Sequence, residues 1–101
     1  MSDSPPLPDL HQSEIDEGTL SQLISDLGTH ADVLGIAPKF GPGYVGKQDT
    51  LQLDEAFRLL TAREVRGVQI HYRHDGKTWC DTLMPIPDGR FRIVRMEQDF
   101  G

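Results

Sequence analysis

From Val65 to Arg73 apolar and polar residues alternate with a period of two, the spacing of a half-buried strand. The stretch from Val65 to Met96 reads as three short antiparallel strands joined by two turns. Asp75-Gly76 supplies the positive φ angles of a tight hairpin, and Pro87-Asp88-Gly89 does the same for the second turn. A two-residue first loop pairs Tyr72 with Trp79, Ile70 with Asp81 and Val68 with Leu83. A three-residue second loop pairs Leu83 with Ile93 and Asp81 with Arg95. Together the registers gather Val68, Ile70, Tyr72, Trp79, Leu83, Phe91 and Ile93 on one face, with Asp81 and Arg95 side by side among them. The opposite face carries Gln69, His71, Arg73, Cys80, Thr82, Met84, Arg90, Arg92, Val94 and Met96.

Upstream the period changes. Leu20, Leu23, Ile24 and Leu27 follow i, i+3, i+4, i+7 and predict a helix. Thr19 and Gln22 form a capping-box start, and Ala31 and Leu34 continue the stripe, so the helix is expected to survive Gly28 and stop near Ala31–Leu34. Leu53, Ala56, Phe57 and Leu60 predict a second helix over Leu53–Arg63. Between them, Gly35 to Thr50 reads as a long Gly/Pro loop, with room for a short extra strand over Val33–Ala37. The expected fold is α+β: two helices on one face of a three-stranded antiparallel meander, in the order α-α-β-β-β. Residues 1–13, with Pro5, Pro6 and Pro8, read as a disordered acidic arm, and 14–101 as a single domain.

Charge adds an asymmetry. The 101 residues carry a net charge of −6, yet residues 1–38 hold acids and no Lys or Arg, whereas seven bases fall between Arg63 and Arg95. Acidic helices attracted to a basic sheet account for this without a ligand. The single cysteine excludes an internal disulfide framework, and no run approaches the ~20 apolar residues of a membrane span. A soluble cytoplasmic protein that does not enter a membrane is expected.

Three motifs carry possible chemistry. Gly41 to Lys47 has the G-x-x-x-x-G-K spacing of a phosphate-binding loop, with Tyr44 inside it. Gln48 stands where that motif needs Ser or Thr, and no helix begins at Lys47. His71 and Cys80 are cross-strand neighbours, an incomplete catalytic or metal pair that lacks a third orienting group and further ligands. Arg73 and Arg92 give the same face a basic character, but Tyr72, Trp79 and Phe91 lie on the helix-covered face, away from any stacked base. Tyr44, Lys47, His71, Arg73, Cys80 and Arg92 are therefore the ligand-binding candidates. Asp81–Arg95 is read as a structural pair.

No catalytic set, metal site or cofactor is assigned. The expected function is a small non-catalytic protein-interaction protein, an accessory or assembly factor or a regulatory subunit, whose partner is another protein. A homo-oligomer through the second sheet face, or by edge pairing of Val65–Arg73 or Arg90–Met96, is the related possibility. The alternatives are a small-ligand module or enzyme using the 40–47 loop with His71 and Cys80, and nucleic-acid binding through the basic face.

Overall fold

The computed structural model describes residues 12–39 and 51–98. Seven elements follow in order: β1 (Gln12–Asp16), α1 (Glu17–His30), β2 (Asp32–Lys39), α2 (Leu53–Thr61), β3 (Gly67–His74), β4 (Lys77–Ile86) and β5 (Arg90–Gln98). The strands form one antiparallel sheet in the spatial order β1-β5-β4-β3-β2. This corrects the expected three-stranded meander and its α-α-β-β-β order. β1 and β2 flank that meander, and neither has a clean strand pattern in the sequence.

β1 contains one aliphatic residue, Ile15, among Gln, Ser, Glu and Asp. Gln12 and Ser13, read as part of the arm, pair with Val94 and Ile93 of β5. Asp16 closes the strand and caps α1, its carboxylate accepting the Thr19 N–H at 2.8 Å. That bond holds the Asp16 carboxyl below its ordinary range. The cap therefore sits three residues before the Thr19 start read from the sequence. α1 runs through Gly28 as expected but ends at His30.

β2 contains the short strand expected over Val33–Ala37 and extends to Lys39, into residues read as the start of the loop, but a bulge blurs its pattern. Its register against β3 shifts between Val33 and Gly35, which leaves Leu34 55% exposed and breaks the period of two. Ala31 and Leu34 thereby mimic a helical stripe. Pro38 sits well here because β2 is an edge strand, where a missing N–H costs no ladder bond. β3 and β5 are interior strands, each paired on both sides, so edge pairing of Val65–Arg73 or Arg90–Met96 with a second copy is excluded. The remaining edges are short and charged in β1, and bulged and Pro-bearing in β2.

The β3–β4–β5 register agrees with the sequence reading at every pair quoted above. Asp75 and Gly76 both have positive φ (57° and 79°), as do Asp88 and Gly89 (69° each). Both helices cover one face of the sheet. Leu20, Leu23, Ile24 and Leu27 of α1 and Ala56 and Leu60 of α2 pack on Val68, Ile70, Tyr72, Leu83, Phe91 and Ile93. Inside this layer Arg95 donates to Asp81 through Nε (2.8 Å) and Nη2 (2.7 Å), and the Tyr72 hydroxyl donates to the same carboxylate at 3.1 Å. Both charges are essentially fully buried. Among the described residues no helix is long and apolar enough to cross a membrane.

Candidate functional site

With both helices on one side, no helix among the described residues covers the second face of the sheet. Its polar and thioether side chains form rows across the strands, fixed by the register. One row runs Met96–Cys80–His71–Gly35, each residue directly opposite the next on the neighbouring strand. The His71 Nε2 lies 3.8 Å from the Cys80 Sγ, and its Nδ1 lies 3.1 Å from the Gln98 Oε1. Since an amide oxygen only accepts, the ring proton is assigned to Nδ1, and Nε2 presents its lone pair toward the thiol. Gln98 is thus the orienting group that the sequence reading found missing. It escaped notice because the third strand extends two residues beyond Met96.

The row does not make an activated nucleophile. Burial, and then the nearby Asp81 charge, push the Cys80 thiol above its ordinary value, so it keeps its proton at neutral pH. Among the described residues no three His, Cys, Asp or Glu side chains come together as metal ligands.

A second constellation lies at the end of the sheet, where the α2–β3 connection meets the end of β4. A cleft of about 540 Å³ there is floored by Val65, Met84, Pro85 and Ile86 and rimmed by Arg63, Arg66 and Arg92. Its shape follows from how α2 ends. The Glu64 N–H bonds the Leu59 carbonyl and the Arg63 N–H bonds the Leu60 carbonyl, the double closure of a Schellman cap. Such a cap places its next residue in the left-handed region, normally glycine, yet Arg63 stands there with φ 59°. A side chain in that conformation costs ~1–2 kcal/mol. What it gains is position: the Arg63 guanidinium lies 5.3 Å over the Phe91 ring and donates to the Arg90 carbonyl at 3.4 Å. The Arg66 N–H is tied to the Lys39 carbonyl at 2.7 Å.

Arg92 reaches the cleft from β5. Its Nη2 lies 3.7 Å from Glu14, and Arg90 meets the same carboxylate at 3.6 Å. Among the described residues the Arg92 Nε is buried without an acceptor.

Of the residues expected from sequence, the structure therefore unites His71 and Cys80 and separates them from Arg92, four residues along β5 from Met96 and so ~13 Å away along the strand. Arg73 lies on the second face, opposite Asp32 and Thr78 at the far end of β3. Tyr44 and Lys47 lie outside the described residues, as does the rest of the 40–47 loop. Arg63 and Arg66 were missed as site residues. No motif marks them, and the only signal was the lack of a glycine after α2. Tyr72 and Phe91 are buried beneath the helices and Trp79 packs against the same core. Comparisons with protein-family models, with curated proteins and with solved structures found no match for this chain.

Proposed function

We propose that the protein is a non-catalytic interaction protein whose cleft at the end of β4 receives an acidic segment of a partner protein, anchored by an apolar side chain. The observation that carries this reading is Arg63, held in a strained backbone conformation that glycine would relieve, at the rim of an apolar cleft with two further arginines. Strain kept at a surface position favours a role in binding over one in folding. Carboxylates suit the three guanidiniums, and an aliphatic or aromatic anchor suits the Val65, Met84, Pro85 and Ile86 floor. Nucleic-acid binding has less support, because the large aromatic residues of the sheet face the helices and not the arginines.

The test is fluorescence anisotropy with a labelled peptide carrying glutamates on either side of a leucine, beside a second peptide with glutamines in their place. Saturable binding of the acidic peptide, weakened by salt and by Arg66→Gln, is expected. Equal binding of the glutamine peptide, or no saturation into the millimolar range, would refute the assignment.

A further inference from the structure

The Met96–Cys80–His71 row has a chemistry distinct from the arginine cleft. We propose that it is a binding site for a soft monovalent metal ion, copper(I). Its three side chains are a thioether, a thiol and an imidazole on adjacent strands, directly opposite one another in the sheet. Thiolate and thioether ligands select copper(I) over harder ions, and imidazole is compatible with it.

The geometry fits a shared ion. With metal–sulfur and metal–nitrogen bonds of ~2.3 and ~2.0 Å, the observed 3.8 Å between Cys80 Sγ and His71 Nε2 closes a ligand–metal–ligand angle of about 120°, a trigonal value. The imidazole already has the outer support that metal-bound histidines receive. Gln98 holds Nδ1–H and leaves Nε2 as the free donor. Gly35, opposite His71 on the outer side, presents no side chain, and a Cβ there would meet nothing within 4 Å. Met96 is 60% exposed, and its unbranched side chain can fold onto an ion held by Cys80, its cross-strand neighbour, and by His71 beyond it.

A divalent zinc site is a poor match. It asks for four ligands, and among the described residues no third His, Cys, Asp or Glu joins this pair. Binding involves no electron transfer. A copper(I)–thiolate bond forms as the Cys80 S–H bond breaks and one proton leaves to solvent, while the Met96 sulfur and the His71 nitrogen donate lone pairs in place of the chelator's donors.

The reduced full-length protein would be titrated without oxygen against copper(I) held by a chromogenic chelator. Transfer of one ion per chain, with a thiolate-to-metal ultraviolet band and release of one proton, is expected. Cys80→Ser should abolish transfer. Met96→Leu and His71→Gln should each weaken it by about tenfold or more, the lower end of what losing even a supporting group costs a metal site. Met96 is exposed, so Met96→Leu should leave the far-ultraviolet circular dichroism and thermal midpoint unchanged and keep the test valid even if Cys80→Ser does not fold. The proposal is overturned if the wild type takes no copper from the chelator. It is equally overturned if either weaker variant binds within tenfold of the wild type, or if equimolar zinc displaces the copper.

Discussion

Two opposite charges sit inside the apolar layer between helices and sheet, each the other's buried counter-charge. Asp81→Asn leaves the Arg95 guanidinium buried without its bidentate carboxylate, and urea unfolding is expected to show a loss of about 3–5 kcal/mol. Replacing both, as Asp81→Leu with Arg95→Met, should recover most of that loss, because both desolvation costs vanish together. Tyr72→Phe keeps the packing and removes one hydrogen bond, at a cost of about 1 kcal/mol. Tyr72 also sets a pH dependence. Burial, then the Asp81 charge, raise its hydroxyl above the ordinary value of 10.0. The folded chain therefore holds that proton where the unfolded chain releases it. The associated stability is complete below about pH 10 and falls as pH rises further, a slope that should flatten in Tyr72→Phe when unfolding is followed against pH. Gly67 is constrained by space alone. A Cβ there would meet the Leu83 carbonyl oxygen at 3.0 Å and Met84 Cγ at 3.1 Å, so Gly67→Ala should cost about 1–3 kcal/mol in the same assay.

At the scale of elements, the cap of α2 links strain to the candidate site. Arg63→Gly relaxes the left-handed position and gives up the Phe91 contact, so the thermal midpoint is expected to hold or rise. Affinity for the acidic peptide should nevertheless fall by at least about tenfold, the scale of one charge-assisted contact. Lost affinity together with an unfolded variant would deny the separation of binding from folding. Elements with a regular period were legible in the sequence: α1 from Leu20 to Leu27, α2 from Leu53 onward, and the meander with its Asp-Gly turns. β1 was not, because five residues with one aliphatic carry too little period. β2 was legible only in part, as a short strand over Val33–Ala37, because the bulge at Leu34 offsets Val33 from Ile36 and leaves a spacing a helix would also give. Both depend on strands distant in the chain, and their pairing decides their state more than their own propensity does.

For the whole molecule, the charge asymmetry is met in part within the sheet itself, where Glu14 of β1 pairs with Arg90 and Arg92 of β5. The His71–Cys80 pairing was legible because it follows from one tight turn. The arginine cleft was not, because it assembles the α2–β3 connection, the end of β4 and the start of β5, which only the folded sheet brings together. The most direct measurement is a ¹⁵N–¹H NMR titration of the labelled protein with the acidic peptide. Shifts concentrated at Val65, Arg66, Met84, Ile86 and Arg92 are expected, with Ser21, Ser25 and Thr29 on the outer side of α1 unmoved. Shifts centred on α1, or no shifts at peptide concentrations into the millimolar range, would contradict the assignment of the cleft.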